Sequence, residues 1–269
     1  LHSFPTRRSS DLGNLKDASQ AKDLAYALKI VINSVYGLTA ASFDNAFRDP
    51  RNVDNICAKR GALFMIDLKH FVQEQGFTVA HIKTDSIKIP DATPEIISAV
   101  TEFGKKYGYT FEHEATYDRM CLLNDAVYIA HDEKGWHATG AQFLHPYVFK
   151  SLFSHEEVTL DDFCETKAVT TSLVLGDQET APEGIRFVGR VGRFVPVREG
   201  GFDILREKEG KYSFASGSKG YKWLEAEDLN GDISLVDDRY ANSLANKARD
   251  AISAFGDADE FLSQEEHGS

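Results

Sequence analysis

The stretch HIKTDSIKIP, residues 81–90, constrains this chain more than any other. A β-rich run from Phe77 to Lys83 meets a second from Ser86 to Ile89, with only Thr84 and Asp85 between them. Two short strands joined by two residues form a tight hairpin. Such a turn lifts the Asp85 carboxylate off the sheet and holds it on rigid backbone. Metal-dependent phosphoryl transfer needs that kind of placement, because about 1 Å of misplacement can cost on the order of 100-fold in rate. Asp is also a favoured turn residue, so the hairpin alone leaves Asp85 open between a plain turn and a metal ligand.

Upstream, residues 18–37 read as a helix, with Leu24, Leu28, Val31, Ile32 and Val35 as an apolar stripe and Gly37 ending the run. Lys29, Asn33 and Tyr36 fall at i, i+4 and i+7, which stacks a cation, an amide and a phenol along one other face. That face suits a ligand with a phosphate end and a flat end. It also suits an ordinary solvated lysine on an amphipathic helix.

The run Lys29-Ile30-Val31-Ile32-Asn33-Ser34-Val35-Tyr36-Gly37 resembles the K-x3-N-S-x-Y-G motif of family B DNA polymerases, matching five fixed positions in nine. In that family the motif lies on the fingers helix that grips the incoming nucleotide. The resemblance implies that Lys29 contacts the triphosphate and Asn33 lines the same pocket. It implies that Tyr36 abuts the nascent base pair and that Gly37 allows close approach. A Lys ammonium is a point charge suited to phosphate oxygens. The second family motif, Y-G-D-T-D-S between two strands, is matched at Thr84, Asp85 and Ser86, in family order and after one long helix. By resemblance Asp85 is a metal-binding carboxylate and Thr84 lies against DNA. Lys83 stands where the family often has its first Asp, so that position supplies no carboxylate, and contact with the primer or a phosphate is the alternative there.

The remaining chain is placed around these motifs. Residues 39–52 read as a loop. A helix over 52–75 follows, with Val53, Ile56, Cys57, Leu63, Phe64, Leu68, Phe71 and Val72 as a core stripe. Thr93 and Pro94 open a helix over 94–107, with Ile96, Ile97, Val100 and Phe103 inward. Residues 109–123 read as a strand, where a family Glu lies near the metals. Glu114 matches it best and Glu112 is the alternative. Residues 126–130 and 136–141 flank a second hairpin. The family carries K-K-x-Y at its start to hold the primer end, and only Tyr128 of that signature is present. Beyond His145 come a helix in PYVFKSLF, a capped one from Thr159, and a Gly-broken β-like run carrying Arg186, Arg190 and Arg193. Lys219, Tyr221, Lys222 and Trp223 follow. Basic residues interleaved with aromatics suit contact with a nucleic-acid backbone, and equally a charged face of a small β subdomain. One helix over 240–255 and a disordered acidic tail after Gly256 complete the reading.

A formal charge of −12 speaks against nucleic acid only until its distribution is read. Residues 1–150 hold 17 basic and 18 acidic side chains, whereas residues 225–269 hold 3 and 12. Residues 185–223 invert the balance, with 9 basic and 4 acidic. Charges more than about 10 Å apart are screened at moderate salt, so a local basic surface can still bind phosphates. No apolar run approaches the roughly 18 residues of a membrane span. Residues 1–12 lack the apolar segment of a signal peptide, resemble translated adapter sequence and are set aside. Cys57, Cys121 and Cys164 offer neither metal spacing nor a disulfide framework.

The expected fold class is α+β. A partial fingers segment (13–38) leads into a palm-type antiparallel sheet with packed helices (39–144). A thumb-like mixed region (145–256) and a tail (257–269) follow. The resemblance implies template-directed addition of deoxynucleotides to a primer 3′ end, with two Mg²⁺ ions, deoxynucleoside triphosphates and primer–template DNA as cofactor and partners. The family's first carboxylate motif, D-x-x-S-L-Y-P, has no match in residues 1–20. An N-terminal part of the same polymerase is therefore an expected partner, and the 269 residues alone are expected not to polymerise. The short fingers and diverged motifs resemble a phage enzyme, and the expected location is the cytoplasm, that of an infected host cell in the phage case. The rival readings are a non-catalytic nucleic-acid-binding remnant, a palm enzyme of the reverse-transcriptase kind, and an unrelated α+β domain.

Overall fold

The computed structural model describes residues 15–263, so the expectations for residues 1–12 and 264–269 lie outside it. The chain divides into two compact units, Leu1–Glu114 and Ala115–Ser269. Both combine helices with antiparallel strands, as expected of an α+β chain. The segment expected to form one palm, 39–144, runs through both units. Among the described residues no helix is long and apolar enough to cross a membrane.

The first unit opens with α1 (Leu15–Thr39), which continues two residues past Gly37 instead of ending there. Its apolar stripe is not core: Leu24, Leu28, Val31 and Ile32 all stay exposed. The end of α1 is held by the loop that follows. Asn45 Nδ2 donates to the Leu38 carbonyl, the buried Asn52 Nδ2 donates to Thr39 Oγ1 at 2.8 Å, and the Asp49 N–H donates to the Thr39 carbonyl. Residues Pro50–Asn55 form a 3-10 turn, so α2 begins at Ile56 and runs to Glu74. Its buried face is Phe64, Met65, Leu68 and Val72, at helical spacing. Ile56, Cys57 and Leu63, expected in the core, are exposed, because α2's burial starts only at Phe64. The side chain of Val53 lies outside the described residues.

The expected hairpin is present as β1 (His81–Lys83) and β2 (Ser86–Lys88), joined by Thr84 and Asp85. Next comes α3 (Pro94–Lys106), where Thr93 Oγ1 accepts from the Ile96 N–H and Pro94 occupies the first turn. Ile82, Ile87 and Ile89 pack with Phe77 and Val79 against the core of Phe64, Leu68, Val72, Ile96 and Val100. A two-stranded hairpin is marginal alone, so this packing is what gives it a fixed position. Residues 109–117, expected as a strand, make no ladder. Only β3 (Arg119–Leu122) is extended and paired, and Glu112 and Glu114 therefore sit on irregular backbone. Phe111 lies against α3 where a Cβ on Gly104 would come within 2.6 Å of its ring, so glycine makes that approach possible.

In the second unit β3 pairs with β4 (Tyr128–Asp132), and β4 with β5 (Gly135–Ala138), giving the expected second hairpin within a three-stranded meander. The strands expected to build one palm sheet thus form two separate sheets, for want of the 109–117 ladder. PYVFKSLF is split into α5 (Pro146–Phe149), after the short α4 (Ala141–Leu144), and a π-turn over Lys150–Ser154. Thr159 caps a single 3-10 turn, not a helix, with its N–H donating to Asp162 Oδ2 at 2.6 Å.

Five strands then form one antiparallel sheet: β6 (Glu165–Gly176), β7 (Arg186–Val197), β8 (Asp203–Lys208), β9 (Lys211–Phe214) and β10 (Lys222–Glu225), in the order β10-β7-β6-β8-β9. Its inner face buries Leu173, Leu175, Phe194, Ile204 and Trp223. Against this unit packs α6 (Asp238–Ser253), through Ala241, Ala245, Ala248 and Ile252, small residues that let neighbours approach closely. The tail after Gly256 departs from the expected disorder at α7 (Ala258–Leu262), which is tied down by Arg119 Nη1 donating to the carbonyls of Phe261 and Ser263.

Candidate functional site

The hairpin tip is built by a constrained corner. Thr84 has φ +50°, in the left-handed region that a β-branched residue rarely enters. The Asp85 N–H donates back to the Lys83 carbonyl at 2.6 Å, so Thr84 is the centre of a γ-type turn. Ser86 Oγ donates to the same carbonyl at 3.2 Å and braces the corner from the other side. The result is an exposed Asp85 carboxylate with no hydrogen-bond or ionic partner among the described residues. A carboxylate held outward and unspent is free to take a cation.

Asp85 does not complete a metal site here. Among the described residues, no group of three or more His, Cys, Asp or Glu side chains is placed to hold a metal ion. Mg²⁺ is held by one or two carboxylates together with waters and substrate phosphates. The hairpin thus offers one suitable ligand and not a full set for two ions. Glu114 is exposed on irregular backbone and acts electrostatically on Lys88.

Lys83 and Lys88 were not singled out together by the sequence. The register pairs His81 with Lys88 and Lys83 with Ser86, which puts all four on the face opposite Ile82 and Ile87. Burial pulls the Lys88 ammonium below the usual lysine range, the Glu114 charge opposes this, and the Lys83 charge adds to it. The alternation in HIK and SIK was the signal that could have revealed this face.

On α1, Lys29, Asn33 and Tyr36 are all exposed, spread over about 10 Å of helix at 1.5 Å per residue. Tyr36 is partly committed, its hydroxyl donating to Asn55 Oδ1 at 3.0 Å. A Cβ on Gly37 would meet nothing within 4 Å, so no neighbour in this chain requires glycine there.

The remaining expected contacts lie in the second unit. Tyr128 is half-buried at the start of β4, its N–H donating to Thr139 Oγ1. Arg186 and Arg193 on β7 are engaged by acids: Arg186 by Asp228 and Glu225, and Arg193 by Asp161 at 2.9 Å. Arg190 has no acid partner among the described residues. Lys222 is paired with Asp203 at 2.9 Å, and Lys219 lies over the Phe214 ring. Sequence reasoning missed the polar cluster at the start of β6. There His145 Nε2 sits 3.0 Å from Glu165 Oε1, Tyr240 donates to the same oxygen, and Lys167 lies 3.4 Å from Oε2. Its members are scattered over 95 residues, so only the fold assembles it.

No family model matches the sequence, and no curated protein matches it. A solved structure, the family B DNA polymerase from the hyperthermophilic archaeon Pyrobaculum calidifontis, resembles the chain with a TM-score of 0.46 and 14% identity. The likeness covers 91% of this chain and 34% of that one, so the chain spans about a third of that structure's length. At that level the similarity concerns the path of the backbone, and no residue role rests on it.

Proposed function

We propose that this chain is the fingers, palm and thumb portion of a DNA-directed DNA polymerase of family B, phage-like in type. In a longer polypeptide it would add deoxynucleotides to a primer 3′ end. The observation that carries this reading is the pairing of two motifs in family order. One is Lys29, Asn33 and Tyr36 at i, i+4 and i+7 on a single helix. The other is Asp85 at the exposed tip of a two-residue hairpin.

In this reading Lys29 places its ammonium against the triphosphate and offsets charge as pyrophosphate departs. Asn33 and Tyr36 orient the nucleotide, Asp85 supplies one carboxylate, and Glu114 is the candidate second acid. Two Mg²⁺ ions would supply charge neutralisation at the phosphates when bound. Thr84, Tyr128, Arg186, Arg190 and Arg193 are the proposed DNA contacts. Primer extension tests the reading, using the chain fused to a segment that carries the family's first carboxylate motif. Asp85→Asn should lower the rate at least 100-fold, and Lys29→Ala should raise KM for the nucleotide. Equal extension by Asp85→Asn and its parent would remove Asp85 from the mechanism.

Two observations favour a second reading, a nucleic-acid-binding remnant without catalysis. Lys83 stands where an acid is expected, and the described residues hold an incomplete donor set for metal. A fusion that binds primer–template but never extends it would support this alternative.

A further inference from the structure

The hairpin has two chemically opposite faces. Ile82 and Ile87 face the core, while His81, Lys83, Ser86 and Lys88 share the other side. Lys83 is exposed and its side chain engages no partner among the described residues. Lys88, half-buried, is the diagonal cross-strand neighbour of Lys83, which places their Cβ atoms roughly 7–8 Å apart. Glu114 is the acid whose charge acts on Lys88, and Lys83 acts on it with the opposite effect. Glu114 already offsets the Lys83 charge at Lys88, so an anion meeting this face is held chiefly by the exposed Lys83.

We propose that this face, led by Lys83 and supported by Lys88, is a contact for the phosphate backbone of a nucleic-acid strand. Each strand of a duplex carries one negative charge per about 3.4 Å of helix axis, and lysines on long flexible stems whose Cβ atoms lie roughly 7 Å apart can reach neighbouring phosphates. Lys83 is exposed on this face, whereas His81 is buried and Lys88 half-buried, so the face offers no exposed ring on which a base could stack. A free nucleotide is held in a concave site that also grips base and sugar, whereas backbone phosphates need only cations on an accessible surface. Ser86 positions Lys83 indirectly, because its hydroxyl fixes the Lys83 carbonyl at the corner. Lys83 thereby has a role that a carboxylate at the same position could not fill. This inference rests on the nucleic-acid reading given above.

The test is the salt dependence of primer–template binding by the full chain, followed by fluorescence anisotropy between 50 and 200 mM salt without Mg²⁺. Lys83→Ala should weaken binding several-fold and reduce the slope of log K against log salt by about 1, while Lys83→Arg keeps both. Lys69→Ala, which removes an exposed charge on α2 rather than on the hairpin, should leave the slope unchanged. Circular dichroism melting establishes that each variant is folded. If the parent binds and Lys83→Ala has the parental slope, the proposal is overturned and the nucleic-acid reading stands. If the parent does not bind primer–template at 50 mM salt, both fall. If a deoxynucleoside triphosphate competes away the Lys83-dependent part at micromolar concentration, the face belongs to free nucleotide and the backbone assignment is overturned.

Discussion

The Arg186 guanidinium donates to Asp228 Oδ2 at 2.7 Å, with Glu225 Oε2 only 2.9 Å from the same nitrogen. An arginine read from sequence as a candidate nucleic-acid contact is thus already matched by two acids on neighbouring segments of its own unit. The Asp228 hydrogen bond, with the acid charges around it, raises the Arg186 pKa further above its ordinary value. Arg193 is held in the same way by Asp161. Arg190→Ala should therefore weaken DNA binding several-fold, and Arg186→Ala less than that, because Arg186 shares its charge with two acids before it meets a phosphate. Titration of both variants by anisotropy at 100 mM salt checks this, and a larger loss in Arg186→Ala would contradict it.

Glu165 links acid stability to the β6–α6 cluster. Burial pushes its pKa up, but the His145 hydrogen bond, the Lys167 charge and the Tyr240 hydrogen bond together pull it below 4.5. A depressed pKa means that the unfolded chain binds more protons, so the stabilisation is present above about pH 4.5 and is lost as pH falls. Tyr240 behaves in the opposite sense. Burial and the Glu165 charge raise its pKa, and its contribution is lost only at strongly alkaline pH. Glu165→Gln should cost about 2 kcal/mol at pH 7 and flatten the fall of melting temperature between pH 5 and 3. An unchanged acid limb would show that Glu165 does not govern it.

Thr84 stores backbone strain at the hairpin tip. Left-handed backbone costs roughly 1–2 kcal/mol for most residues, and Asn tolerates it better than a β-branched side chain. Thr84→Asn should raise stability by about 0.5 kcal/mol, whereas Thr84→Pro, which demands φ near −65°, should lower it by about 3 kcal/mol. Urea midpoints measure both. A destabilised Thr84→Asn would mean that the threonine side chain contributes contacts that outweigh the strain.

Burial separates two helices that look alike in sequence. Leu68 on α2 is fully buried and Leu28 on α1 is 52% exposed. Leu68→Ala should cost about 3 kcal/mol, from lost transfer energy and the cavity left behind. Leu28→Ala should cost less than about 0.5 kcal/mol. Chemical denaturation of both variants tests the contrast, and equal losses would show that α1 is covered in solution.

Local chemistry carried much of the architecture. The two-residue link between alternating runs specified the 81–88 hairpin and its tip, because only a tight turn can join strands so close in sequence. Thr93 and Pro94 marked the start of α3, and Asp132 to Gly135 marked the second hairpin, because caps and turns depend on neighbouring residues alone. The helical period placed Lys29, Asn33 and Tyr36 on one face. What the period could not reveal was whether the stripe beside them would be covered, and on α1 it is not. The 109–117 segment has strand-like composition, yet a ladder needs a partner strand. Arg186 and Arg193 have acid partners more than 30 residues away, and the Glu165 cluster joins residues 145, 165, 167 and 240. Burial, strand pairing and ion pairing all depend on which distant segments meet. Sequence by itself therefore determined where this chain turns, caps and presents Asp85, and only the tertiary structure decided which of its charges remain free.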